Sequence, residues 1–276
     1  MNLRDILVHI DASPAASGRL DYAAEFARRH DAHLTALYVV DVPVPPVAEF
    51  DAAVMAELMD QQRRIALAEA ARVAARVSEI FRREQLRGGW LQVEGFTPEQ
   101  VMVHARHADL AMLSQPQTNG RQSEEWRLLE MVLFGAGRPL LLVPQMGRFP
   151  GTSERILLGW NASREAARAL HDALPLLARA ASVTVYTASV RGRGRHELPS
   201  TDIAAHLARH GLQVEVEQGP DEGLPPGEML LARAMEIGAD LLVVGGYGHS
   251  RLRETMFGGV TRHLLQRMTL PVLMSH

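Results

Sequence analysis

The strongest constraint on the fold is that the chain repeats itself. The matching segments are residues 6–13 (ILVHIDAS) with 156–163 (ILLGWNAS), and residues 139–141 (PLL) with 271–273 (PVL). The offset falls from 150 in the first pair to 132 in the second, so the first copy carries about 18 extra residues, between Tyr38 and Gly95. Repetition at this period predicts two copies of one domain. We expect these domains to span residues 1–147 and 153–276.

Within each copy, short apolar segments alternate with longer amphipathic ones. In the second copy the apolar segments are residues 156–160, 183–187, 214–218, 241–245 and 271–275. The intervening segments repeat apolar residues every three or four positions, as helices do; they are residues 164–180, 201–210, 228–237 and 260–267. Non-alternating apolar strands separated by helices indicate a parallel sheet covered on both faces. The predicted fold class is α/β, with two tandem five-stranded parallel-sheet sandwiches.

Composition excludes several classes of protein. The 276 residues include no cysteine and no lysine, so all 29 basic residues are arginine. Disulfides, thiol catalysis and Cys-ligated zinc need cysteine, whereas Walker A loops, protein-kinase ATP sites and Schiff-base enzymes need lysine. A net charge of -3 offers no basic face to nucleic acid or to an anionic membrane. The apolar runs are too short for a membrane helix, so we expect a cytoplasmic protein.

A glycine-rich segment follows the fourth apolar strand of the second copy. It contains Gly245, Gly246, Gly248, Gly258 and Gly259, and then Val260 and Thr261 where the last helix is expected to begin. Glycine lets the backbone approach a phosphate closely, and a helix start offers free N–H groups. Ligands of doubly wound sheets lie beyond the carboxyl ends of the strands. The segment therefore predicts a phosphate-binding loop without lysine, although for the Gly-Gly pair alone a plain turn is the favoured reading.

With this loop the chain resembles the universal stress protein family. Its nucleotide-binding members carry Gly-x2-Gly-x9-Gly-(Ser/Thr), and Gly245, Gly248 and Gly258 match that spacing here. The resemblance covers both copies and implies a tandem protein of the stress response with a Rossmann-like, adenine-nucleotide α-hydrolase-like fold. It also implies ATP or AMP as the ligand, with Mg²⁺, the adenine lying between the ends of the first two strands and the phosphates on the loop.

The resemblance extends to residues around the loop, with two departures. Asn161 stands at the end of the first strand, where the family has an acidic residue, and Thr187 ends the second strand. Gly259 stands where the family has Ser or Thr, so a hydroxyl is missing. His249 is placed to touch a phosphate or a base, or to be an exposed loop residue. We expect weakened nucleotide binding, at most slow ATP hydrolysis and no assigned catalytic residue.

The first copy lacks most of the residues that the second copy offers for nucleotide binding. It keeps Asp11 at the end of its first strand, but Ser114 and Gln117 replace the first two glycines. Glu124 and Glu125 lie beside the expected phosphate position and would repel an anion. We therefore expect that this copy does not bind ATP in the family's way, and that it binds another ligand or serves as a structural partner.

The remaining sequence pattern of chemical interest is a pair of histidines at helical spacing. His206 and His210 stand four residues apart on a predicted helix, a spacing that can hold zinc. No acidic third ligand accompanies them in an obvious motif, so the sequence leads us to assign no metal site.

Two partner predictions and two alternative functions complete the interpretation. Residues 139–143 and 271–275 are short apolar strands whose exposure would invite aggregation, so we expect them to pair within the chain as an intramolecular pseudo-dimer. A homodimer of the whole chain is a further expectation. The main hypothesis is a nucleotide-binding regulator, and the alternative is a nucleotide-independent interaction or scaffold protein. An enzyme acting on a small molecule in the first copy is the least favoured.

Overall fold

A computed structural model describes residues 3–42, 52–117, 123–188, 200–220, 223–247 and 259–276. The elements of the first half are β1 (Asp5–His9), α1 (Ala15–His30), β2 (His33–Val40), α2 (Ala52–Arg83), β3 (Gly88–Glu94), α3 (Thr97–Ala105), β4 (Leu110–Ser114), α4 (Glu124–Gly135) and β5 (Leu140–Val143). Those of the second half are β6 (Arg155–Gly159), α5 (Arg164–Leu177), β7 (Ser182–Thr187), α6 (Ser200–Arg209), β8 (Glu215–Gln218), α7 (Pro226–Glu236), β9 (Leu241–Gly245), α8 (Gly259–Arg267) and β10 (Val272–Ser275). The alternation confirms the predicted α/β class.

The ten strands of the described ranges belong to one sheet, in the order β3-β2-β1-β4-β5-β10-β9-β6-β7-β8. Within each half every neighbouring pair is parallel. In each half the chain moves outward from its first strand and then crosses back to the other side of that strand. The resulting switch points, between β1 and β4 and between β6 and β9, are where ligands of doubly wound sheets bind.

The two halves join through their final strands. β5 and β10 pair in antiparallel fashion, with Leu141 opposite Leu273 and Leu142 opposite Val272. These four side chains are at most 1% exposed. The predicted pairing of the final strands is confirmed, and it converts two apolar edges into the centre of the sheet.

Helices cover both faces of this sheet. One hydrophobic cluster takes residues from α1, α2, α5 and α6, and the other takes residues from α3, α4, α7 and α8. Successive strand residues point to opposite clusters: Leu141 and Leu273 join the first, whereas Leu142 and Val272 join the second. Each cluster therefore continues from one half into the other across the junction of β5 and β10, which we call the seam.

The extra residues of the first half lie in and before α2. This helix has 32 residues, whereas α6, its counterpart in the second half, has 10. The helix lies within the interval between Tyr38 and Gly95, where the repeat offset placed the extra residues. None of the helices in the described ranges is both long enough and apolar enough to cross a membrane.

Candidate functional site

The carboxyl ends of β6 and β7 lie side by side in the second half. Asn161 follows the end of β6 and is exposed to solvent, and its Oδ1 accepts a hydrogen bond of 3.1 Å from the backbone N–H of Ser163. Ser163 in turn caps α5, because its Oγ accepts from the N–H of Ala166 at 3.1 Å. The turn after β6 is thus a polar, capped helix entry, and Asn161 lies on its solvent side.

Thr187 is the last residue of β7, one strand away from Asn161. Its side-chain Oγ1 is buried and has no hydrogen-bond partner among the described residues. Leaving a buried hydroxyl unsatisfied costs about 1–3 kcal/mol. A ligand seated over the ends of β6 and β7 would supply the missing partner.

Gly245 ends β9, on the other side of β6, and its role is visible in the packing. A Cβ at this position would lie 2.5 Å from the backbone nitrogen of Ala166 and 2.6 Å from the carbonyl carbon of Glu165. The end of β9 therefore lies directly against the first turn of α5, at a separation that only glycine permits. This explains the glycine as a close-packing residue, independently of any phosphate.

The next two residues have backbone groups that are already engaged. The N–H of Gly246 donates to the carbonyl of Ser275 at 2.8 Å, and its carbonyl lies 3.1 Å from Nδ1 of His276. Tyr247 has a φ of 58°, and its N–H donates to Oγ1 of Thr261 at 3.2 Å. The second contact joins Tyr247 to the start of α8. The first occupies the N–H of Gly246, a residue that the sequence assigned to the ligand.

The other residues of the predicted site divide into two groups. Gly259, Val260 and Thr261 form the first turn of α8, with Val260 exposed and Thr261 buried. Gly248, His249 and Gly258 lie outside the described residues. The structure therefore collects Gly245, Gly246 and Thr261 at one place and puts Asn161 and Thr187 at the ends of the neighbouring strands.

The equivalent edge of the first half holds a cavity of about 240 Å³. Its polar lining consists of His9, Asp11, Ser13, Arg19, Ser114, Gln115, Gln117, Glu125 and Gln145. Arg19 is only 1% exposed, pairs with the Asp11 carboxylate at 3.2 Å and donates a hydrogen bond to Oγ of Ser114. Its Nε has no partner among the described residues.

The charges in this cavity are set by burial and by Arg19. Burial, and then the nearby Arg19 guanidinium, lower the pKa of His9 to about 4, so the imidazole is neutral at pH 7. Burial acts to raise the pKa of Asp11, but Arg19, His9 and two hydrogen bonds from Ser13 together hold it below its usual value. Both Asp11 oxygens are therefore engaged inside the protein, unlike an acidic residue free to receive a ribose.

Glu125 lies where the sequence placed a repelling charge. Its Oε2 accepts a hydrogen bond of 2.6 Å from the backbone N–H of Gln117. The Gln117 carbonyl accepts a second bond, of 3.1 Å, from Nε1 of Trp126. An internal carboxylate thus occupies the N–H of Gln117, the residue that replaces Gly248 in this half.

Sequence reasoning missed Arg19 and His9. The available signal was an arginine on the buried stripe of α1, between Ala16 and Ala23 at the helical spacing. A charged residue on an apolar stripe indicates a buried partner, and here the partners are Asp11 and Ser114.

The comparisons with known proteins agree with the fold. A family model described as "Universal stress protein family" matches residues 2–95 and 152–276. Among solved structures, the chain is similar to a universal stress protein from Archaeoglobus fulgidus DSM 4304, with 15% identity, a TM-score of 0.71, and coverage of 98% of this chain and 96% of that one. Identity this low shows the fold alone.

Two structures from Pseudomonas aeruginosa are also similar. A functionally unknown protein from strain PAO1 has 17% identity and a TM-score of 0.59, covering 99% of this chain and 92% of that one. A putative universal stress protein from strain UCBPP-PA14 has 18% identity and a TM-score of 0.57, covering 99% and 93%. No curated protein matches the chain.

Proposed function

The chain belongs to the universal stress protein family, and we propose that it is a stress-response regulator whose second half binds ATP or AMP. The observation that carries the proposal is the buried hydroxyl of Thr187, which lies beside the end of β6 and has no hydrogen-bond partner among the described residues. The Thr187 hydroxyl and the Asn161 side chain lie at the carboxyl ends of β6 and β7. The family resemblance puts the adenine and ribose at this edge of the sheet.

The phosphates would lie toward α8. The residues proposed to hold them are Gly245, Gly246, Gly248, His249, Gly258, Gly259, Val260 and Thr261. Because the N–H groups of Gly246 and Tyr247 are engaged internally, the N–H groups of the first turn of α8, which have no acceptor within the helix, become the main anion-binding groups of the proposal.

A divalent cation fits a loop without lysine. Mg²⁺, when bound, neutralises charge on the phosphates, and this chain supplies no lysine for that purpose. The described residues include no nucleophile or base assigned to the phosphates, so the proposal limits ATP hydrolysis to a slow reaction.

A calorimetric titration with ATP and Mg²⁺ tests the location of the site. Thr187→Val removes the unpartnered hydroxyl, and Gly258→Val tests the loop; both are expected to weaken binding. Asp11→Asn is the matched control in the first half, where the same end-of-strand position is expected to be irrelevant. Because Asp11 pairs with the buried Arg19, circular dichroism must show that the Asp11→Asn variant is folded. Binding that is lost in folded Asp11→Asn and retained in Thr187→Val would contradict the assignment to the second half.

One specific observation favours the alternative function, a nucleotide-independent scaffold. The amides of Gly246 and Tyr247 and Oδ1 of Asn161 are all satisfied within the protein. A site whose polar groups already have partners gains less from a ligand. No heat from ATP up to about millimolar concentration, which corresponds to roughly 4 kcal/mol of binding free energy, would support the scaffold.

Two further predictions concern the oligomeric state and the cellular location of the protein. A homodimer of the tandem chain stays a prediction, and so does a cytoplasmic location. Sedimentation and cell fractionation, respectively, address them.

A further inference from the structure

Three histidines from α5, α6 and the turn after α6 lie together in the second half. His171 belongs to α5, His206 belongs to α6, and His210 directly follows α6. The ring centroids are 4.9 Å apart for His206 and His210, 5.4 Å for His171 and His206, and 6.3 Å for His171 and His210. The sequence showed only the pair on α6, because α5 contributes its histidine through the packing of the fold.

The spacing of the rings fits a shared metal ion. With Zn–N bonds of about 2.0–2.1 Å directed along each ring, three imidazoles on a tetrahedral ion have centroids about 5 Å apart. Two of the three observed separations are within half an ångström of that value. The rings meet edge to face, at interplanar angles of 65° to 85°.

His206 lies at the centre of the cluster and has an unused nitrogen. Its Nε2 is buried and has no hydrogen-bond partner among the described residues. The nitrogen is therefore not committed to another group of the described residues. A neutral imidazole with a free lone pair is the form that binds metal.

We propose that His171, His206 and His210 bind one divalent transition-metal ion of the zinc class and thereby fasten α6 to α5. Three imidazole nitrogens suit Zn²⁺, Ni²⁺, Co²⁺ or Cu²⁺ and disfavour Mg²⁺ and Ca²⁺, which require oxygen ligands. Three protein ligands leave a fourth position for water.

The proposed site requires a rearrangement of side chains when the metal ion binds. In the part of the chain that the structure describes, no three His, Cys, Asp or Glu side chains already converge on a metal position. The 6.3 Å separation of His171 and His210 is the distance that must shorten. Both rings are on exposed residues, and the proposal requires rotation about their side-chain torsions to bring the nitrogens together.

The nearby charges are compatible with a cation of this kind. Arg168 and Asp172 flank His171 on α5, and they form an ion pair with each other at 3.3 Å. Arg209 is the unfavourable neighbour, since its charge opposes that of the metal ion. The affinity for the metal ion must therefore come from the imidazole nitrogens. A histidine substitution that removes one of these nitrogens tests this directly.

The experiment is a titration of the tag-free, full-length protein with Zn²⁺ at pH 7.5, followed by calorimetry, and a parallel Co²⁺ titration followed by visible absorption. We expect one equivalent of Zn²⁺ and the absorption of four- or five-coordinate Co²⁺. His171→Gln and His206→Gln should each weaken binding at least roughly tenfold, the smallest loss seen when even an outer partner of a ligand is removed.

His107→Gln is the matched control, because His107 is an exposed histidine of the first half and follows α3, which packs on the face of the sheet opposite α5. It should leave both titrations unchanged, and circular dichroism of each variant checks that it is folded. The proposal is overturned if the protein binds no Zn²⁺ at about 100 μM, or if binding survives in folded His171→Gln and His206→Gln. Binding that His107→Gln abolishes would likewise reject this cluster as the site.

Discussion

Replacing Gly245 by alanine tests the packing at the centre of the candidate site. The added methyl group would lie 2.5 Å from the Ala166 nitrogen, about 1 Å closer than an ordinary contact of 3.5–4.0 Å. The atoms that it meets are backbone of the first turn of α5, which cannot rotate away as a side chain can. The end of β9 and the start of α5 must therefore move apart.

Overpacking of this kind costs about 1–3 kcal/mol. Alanine recovers part of this by restricting the unfolded chain, by about 0.4–1 kcal/mol where its conformation is unstrained. We expect a net loss of about 1–2 kcal/mol in the free energy of unfolding, measured by urea titration with circular dichroism.

Gly18→Ala is the matched control for this measurement. Gly18 lies inside α1, and a Cβ there would have nothing within 4 Å. Alanine in a helix interior should raise stability by about 0.5–1 kcal/mol. A Gly245→Ala variant as stable as the wild type would refute the close packing of β9 against α5, and with it the structural explanation of this glycine.

Three other perturbations have defined outcomes. Asn161→Asp should tighten ATP binding about fivefold by calorimetry, because a charge-assisted hydrogen bond exceeds a neutral one by about 1 kcal/mol; unchanged or weaker binding would argue against a ribose contact. Leu273→Ala should cost about 2–5 kcal/mol of unfolding free energy, and the exposed Leu58→Ala about 0.5 kcal/mol or less; equal losses would show that the seam is not a core. Burial lowers the pKa of His9 and of His30 from 6.5 to about 4, so stability should be full above pH 6.5 and fall as the pH drops toward 4, by roughly 2–3 kcal/mol per histidine. His30→Gln should flatten this pH dependence, and an unaltered slope would contradict the buried neutral state.

The fold was predictable because its signal is local and repeated. Strands buried on both faces of a parallel sheet appear in the sequence as continuous apolar runs, and β6, β7 and β9 begin and end within a residue of the predicted bounds. The pairing of β5 with β10 followed from the cost of leaving two apolar edges exposed.

The site was less predictable because its contacts join distant residues. Arg19 meets Ser114 across 95 positions, and His171 meets His206 only because α5 and α6 cover the same face of the sheet. Hydrogen bonds that engage the backbone, such as that from Gly246 to Ser275, leave no trace in residue type. A glycine pattern therefore predicted a phosphate-binding loop but could not show which amides are engaged within the protein.

The most direct test of the account is the nucleotide content and stoichiometry of the purified chain. The protein is denatured, any released nucleotide is identified by mass spectrometry, and the emptied protein is titrated with ATP and Mg²⁺. We predict an adenine nucleotide at one equivalent per chain, because the residues proposed to hold it lie in the second half alone. Two equivalents per chain would contradict the asymmetry between the halves, and no nucleotide with no binding would contradict the nucleotide-dependent function itself.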